Sequence, residues 1–287
     1  MSLWVPLALT SAFLLASSDA LTKRALSVND VYIVAWLRLF FSLPLLAVCL
    51  FFIPVPALDH TFYRTVLTAL PLEITALVLY TKALKVSPLS LSLPFLSLTP
   101  VFLIVVPYLL LGEKISLAGG LGVLCIAAGG YALNINKFSE GILGPFQAIR
   151  REKGSLMMIG VAFIYSFTAT LGKKAIDHSS AVFFGIIYYI VLFALFTPVA
   201  MFKSRRQFKK APIMATILPG MLDSVGNITH TTAMSLTKVA YMVSVKRLSL
   251  LIGVFFGYLF FKESGIKERL IGTMLMLAGF AIIVMYN

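Results

Sequence analysis

The sequence predicts an all-α integral membrane protein, with ten transmembrane helices arranged as two five-helix inverted repeats. Three observations carry that reading. The 287 residues are 60% hydrophobic and only 12% charged, with a mean hydropathy of +0.97, far outside the composition of soluble domains. The apolar residues fall into ten runs of roughly the 20 residues that a bilayer-spanning helix needs. The second half of the chain also repeats the first at a constant offset of 150.

The runs cover 4–22, 31–53, 65–84, 88–111, 117–134, 155–176, 181–202, 213–236, 239–261 and 268–286. The first has no basic segment before it and no convincing cleavage site after it, so it reads as a retained helix rather than a signal peptide. The fourth carries Pro94, Pro100 and Pro107, each of which removes a backbone donor and can kink a helix. The fifth holds Gly119, Gly122, Gly129 and Gly130, and the tenth holds Gly272 and Gly279; glycines at such positions allow close helix contact. Gly253 and Gly257 form a small-xxx-small face on the ninth, read as packing, with a homodimer contact as the alternative. Near the midpoint, KFSEGILGPFQAIRREK mixes glycine, proline and charge and reads as a linker at 137–153, between a first unit at 1–136 and a second at 154–287.

The offset of 150 holds along the chain without a gap. It pairs Lys23 with Lys173, Ala25 with Ala175, the TKAL from Thr81 with the TTAM from Thr231, Glu113 with Glu263, Gly122 with Gly272 and Gly129 with Gly279. Five spans per copy is an odd number, so the second copy enters the membrane in the opposite sense. The expected substrate site then lies near mid-depth between the halves. Of the 24 Lys and Arg, sixteen fall in or beside the loops after odd spans and five beside the loops after even spans. The positive-inside rule therefore places the odd loops in the cytoplasm and both termini outside.

Composition also excludes. The net charge of +13 would suggest nucleic acid in a soluble chain, but here the basic residues sit in short loops as topology signals. Cys49 and Cys125 fall inside apolar runs and read as buried hydrophobes. No nucleotide-binding loop, catalytic triad or metal-ligand set has recognisable spacing, so no cofactor, no metal and no enzyme activity is expected.

Charged and polar residues inside the spans mark the candidate site. Lys246 and Arg247 lie near the middle of the ninth, where each cation would cost about 2.5–3.5 kcal/mol on insertion scales without a partner. They face either an anionic substrate group or acids on another helix, and Arg247 could alternatively reach an interface. Neighbours stand about 100° apart around a helix, so the two are not expected to point straight into one cavity. Glu73 and Asp223 are repeat partners; they either carry a coupling proton or neutralise the two cations. Asp223, Asn227 and His230 share one polar face of the eighth span, with His230 either a proton relay or an ordinary hydrogen-bonded core histidine. Asn227-Ile-Thr matches a glycosylation sequon, but its place inside a span argues against use. Tyr80, in register with His230, and Tyr165 could bond a ligand or fill the core. Arg38 reads as a headgroup anchor early in the second span, and Asp19 is ambiguous.

The segment PFLSLTPVFLIVVPYLLLGEKISLAGGLGVLCIAAGGYAL from Pro94, and its repeat VKRLSLLIGVFFGYLFFKESGIKERLIGTMLMLAGFAIIV from Val245, resemble the EamA-type members of the drug/metabolite transporter superfamily. The resemblance covers nearly the whole chain. It implies a ten-helix carrier and, in contrast to the charge count, cytoplasmic termini. The Lys246-Arg247 pair is further similar to the adjacent Lys-Arg on the ninth helix of plastid sugar-phosphate/phosphate translocators, where the pair contacts the substrate phosphate. Together these readings lead to a secondary transporter in the cell (inner) membrane that moves a small metabolite with an anionic moiety by alternating access. Lys246, Arg247, Asp223, Asn227, His230 and Tyr80 would be its substrate contacts, and Glu73 and Asp223 its proton-coupling candidates. Export of amino acids or cationic compounds is the alternative within that class, and a membrane enzyme acting on lipid-linked substrates is the alternative outside it.

Overall fold

A computed structural model describes residues 3–133, 153–205, 213–261 and 270–286. Its helices are α1 (Trp4–Leu26), α2 (Val31–Leu50), α3 (His60–Val86), α4 (Leu89–Ser92), α5 (Leu98–Leu111), α6 (Leu117–Ala132), α7 (Lys153–Asp177), α8 (Ala181–Ser204), α9 (Ile213–Ser235), α10 (Val239–Lys246), α11 (Ser249–Phe261) and α12 (Leu270–Tyr286). A 3₁₀ turn, Leu93–Ser97, joins α4 to α5. Among the described residues, seven helical stretches are long and apolar enough to cross a membrane, with 117–132 and 271–286 as shorter apolar helices. The linker expected at 137–153, except Lys153, and Glu263 of the repeat register lie outside the described residues.

Local chemistry sets several boundaries. Asp59 starts α3 five residues before the predicted span, because its carboxylate accepts the Phe62 N–H at 2.8 Å and satisfies a donor that the first turn leaves free. Asp30 does the same for α2 through Tyr32 and Ile33. Gly112, at φ 71°, closes α5 in the left-handed conformation that a glycine adopts at no steric cost.

The repeat is visible in the contacts. Lys23 Nζ donates to the carbonyls of Leu84 and Ser87 at the end of α3; its partner Lys173 donates to Met234 and Ser235 at the end of α9. A cation at a helix C-terminus bonds carbonyls that lack a partner there, and the same device serves both halves. The halves are interlocked, with α1 packed on α9 and α3 on α7. Ser11 and Ser18 of α1 donate to the carbonyls of Gly226 and Pro219.

Helices α6 and α12 meet along a glycine seam. A Cβ built on Gly129 would stand 2.6 Å from the Gly272 carbonyl oxygen, and one on Gly279 would stand 2.5 Å from that of Gly122. Only hydrogen side chains permit this approach. The pairs 122 with 279 and 129 with 272 run in opposite senses, so equivalent helices are antiparallel and the two-fold axis lies across them. This is the inverted repeat.

The fourth and ninth spans are both interrupted, and at matching positions. The predicted single helix at 239–261 instead stops at Lys246 and restarts at Ser249. Tight turns carry the chain across, with Leu248 N–H bonded to Val245 O at 3.0 Å and Leu250 N–H to Arg247 O at 2.9 Å. Irregular backbone at membrane depth is tolerated where it is buried in protein or lines a cavity, and the break borders one.

Candidate functional site

Between the halves lies a cavity of about 220 Å³. Its walls come from both repeats, frequently from equivalent positions: Arg38 and Tyr188, Leu39 and Tyr189, Glu73 and Asp223, Leu77 and Asn227, Tyr80 and His230, Leu15 and Tyr165. The broken ninth span adds Val243, Lys246 and Arg247, and α5 adds Thr99. All seven residues singled out from the sequence, Lys246, Arg247, Asp223, Asn227, His230, Tyr80 and Glu73, therefore border one space.

Their partners differ from expectation. Arg38 is not a headgroup anchor. It is 8% exposed, and it grips Asp223 with both sides of the guanidinium fork, Nε to Oδ2 at 2.8 Å and Nη2 to Oδ1 at 2.9 Å. Its third nitrogen lies 3.7 Å from Asp19 Oδ1, and Tyr80 donates its hydroxyl proton to Asp19 Oδ2. The physical reason is close approach. A Cβ on Gly220 would meet the Arg38 carbonyl oxygen at 2.7 Å, so α9 presses on α2 there and Asp223, one turn on, arrives at the guanidinium.

Lys246 and Arg247 both reach the cavity, against the expectation that neighbours would diverge, because the cavity wraps around the end of α10. Arg247, 4% exposed, turns toward α5 and donates through Nη2 to Thr99 Oγ1 at 2.8 Å. Lys246 turns the other way and also borders an adjoining pocket of about 70 Å³ with Ser11, Asp223, Asn227 and His230. Among the described residues neither cation has a carboxylate within the 4.0 Å of an ion pair, and Glu73 has no cation within that distance. Glu73 has Thr168 as its hydroxyl neighbour.

Several buried polar atoms at the cavity have no hydrogen-bond partner among the described residues: Arg247 Nε, His230 Nδ1 and the Tyr188 hydroxyl. Such atoms cost free energy unless water or a ligand completes them. Asn227, by contrast, is spent on the fold, donating to the Gly185 carbonyl at 2.8 Å. Tyr188, Tyr189, Thr99 and Thr168 were missed in the sequence; the repeat register could have found the first two, since they stand opposite Arg38 and Leu39.

The EamA-like transporter family matches this chain twice, at residues 2–135 and 152–285. No curated protein matches it. One solved protein, described only as a crystal structure of a protein, superposes with a TM-score of 0.74 over 99% of each chain at 14% identity, which is a likeness of fold.

Proposed function

The chain belongs to the EamA-like transporter family, a family of membrane transporters of small molecules, and from that premise we propose that it carries a small metabolite with an anionic group across the cell membrane by alternating access. One observation supports this above the others. Among the described residues two cations, Lys246 and Arg247, face the cavity with no acid within ion-pair distance, while the nearby Asp223 is held by Arg38. A cation without a contact partner in a low-dielectric site is costly, and an anionic ligand supplies that contact. Arg247 offers a directional fork and Lys246 a point charge. At about 30 Å³ per water, the cavity of 220 Å³ holds about seven waters. That is below the 300–1,000 Å³ typical of drug-sized ligands, so the cargo is small.

In this reading Glu73 is the coupling group, a carboxylate on the cavity with no cation in ion-pair contact among the described residues, taking up a proton as the anion binds. The same observation favours a second reading, export of amino acids or cationic compounds, with Glu73 receiving an amine. Uptake into proteoliposomes separates the two. Competition by organic anions or phosphate esters, and loss of transport in Lys246→Ala with normal membrane expression, supports the first. Competition by amines alone overturns it.

A further inference from the structure

The cavity wall contains two acids, Glu73 and Asp223, and three cations, Arg38, Lys246 and Arg247, with Asp19 buried beside Arg38, and the structure pairs them unevenly. Asp223 has two cations within reach of its surroundings. One is Arg38, which engages both of its oxygens at 2.8 and 2.9 Å; the other is Lys246, which borders the same 70 Å³ side pocket but forms no ion pair with it. Asp19 is likewise occupied, by Arg38 at 3.7 Å and by the Tyr80 hydroxyl. All three nitrogens of one guanidinium are thus turned toward two carboxylates. What this leaves over among the described residues is Glu73, on the Thr168 hydroxyl, together with Lys246, and Arg247 with Nε lacking a partner and Nη2 on a neutral threonine.

The geometry points to Arg38 as a positioning residue for substrate binding: by sequestering Asp223 it keeps a carboxylate additional to Glu73 off Lys246, so that the anion pole stays open for the cargo. The inference rests on the anionic reading above and adds a specificity determinant on the opposite repeat. Arg38 acts here through Asp223. A carboxylate stripped of its guanidinium is drawn to the nearest cation, because attraction between unit charges is strong at low dielectric. Lys246 is that cation, and the substrate then competes with a tethered acid. Bidentate geometry explains why arginine stands at position 38: its fork engages both oxygens of Asp223 at once, and a lysine point charge would leave one free.

The test uses the purified full chain in detergent, with inorganic phosphate and benzoate as probes and calorimetry as the readout. Wild-type protein binds at least one probe, and Lys246→Ala weakens that binding at least tenfold; failure of either result overturns the anionic reading itself. Arg38→Gln lowers probe affinity at least tenfold. The double variant Arg38→Gln/Asp223→Asn, which removes the competing acid as well, recovers affinity to within about threefold of wild type. Equal weakness in the single and double variants assigns Arg38 a merely structural role and overturns the proposal while leaving the anionic reading intact. Undiminished affinity in Arg38→Gln overturns it as well. Should Arg38→Gln fail to fold, Asp223→Asn alone decides: with the competitor neutral it binds the probe as tightly as wild type or several-fold tighter, and a tenfold loss refutes the sequestration.

Discussion

Replacing Arg247 by methionine is expected to make the protein more stable and unable to transport. Arg247 is 4% exposed, has no carboxylate within 4.0 Å among the described residues, and leaves Nε without a partner. Burying an ion costs several kcal/mol after relaxation, on the order of 4 kcal/mol here, and no ion pair offsets it. Its side-chain hydrogen bond to Thr99 contributes about 2 kcal/mol as a charge-assisted bond. Methionine keeps the length and adaptable packing of the side chain, so the net expectation is about 2 kcal/mol of added stability. At about 2–4 °C per kcal/mol for a chain of this order of size, the melting temperature rises by about 4–8 °C. Thermal unfolding of the ligand-free protein in detergent measures the shift, and proteoliposome uptake measures the loss of transport. A melting temperature at or below wild type would refute the claim that this cation is held against its own solvation for a ligand's sake.

The other buried arginine has the opposite sign. Arg38→Met strands Asp223 and Asp19 without their cation, and breaking a buried pair this way costs about 3–5 kcal/mol, or about 6–20 °C in the same melt. At the glycine seam, Gly279→Ala puts a Cβ 2.5 Å from the Gly122 carbonyl oxygen, a backbone atom that no rotamer change can move. It should lose about 1–3 kcal/mol by overpacking, whereas Gly120→Ala, whose nearest contact is Ile115 at 3.5 Å, loses nothing; equal melts for the two would show that the seam yields. Outside the spans, the Asp59 carboxyl is held below the usual carboxylate range by the Phe62 N–H and then by His178 at 2.8 Å. A depressed carboxylate stabilises the fold above its unfolded value, about 3.9, and that contribution is lost as pH falls through the lower folded value. Asp59→Asn should flatten the fall in melting temperature below about pH 4, and an unchanged pH profile would remove Asp59 from that account.

Helix number and order were legible in the sequence because hydropathy and a gap-free repeat report on the same constraint, the length of chain that a bilayer accepts. The break in the ninth span was not. The segment around Arg247, VSVKRLSLL, contains no proline or glycine, so no local propensity announces it; the clue lay one repeat away, where prolines flank the matching position in the fourth. The depth of Arg38 was misread for a similar reason. Hydropathy places a residue along a helix but says nothing about which helix it faces, and only the approach of α9 at Gly220 decides that Arg38 meets Asp223 rather than lipid headgroups. Candidate site residues were recognisable as charges at membrane depth, but which charge satisfies which is a property of packing.

Subtracting the offset of 150 from the glycine seam turns its contacts into 122 with 129′ and 129 with 122′, the self-complementary pattern of a two-fold homodimer. The polypeptide thus carries an internal dimer interface whose halves are joined end to end. A true dimer of identical halves could not hold what this chain holds at 246 and 247, because any cation pair would appear twice, once on each side of the axis. Fusion releases that restriction: position 97 stays serine while position 247 becomes arginine, and the seam is undisturbed. Covalent linkage here does more than hold two bundles together, since it lets one of them acquire a charge that the other does not share.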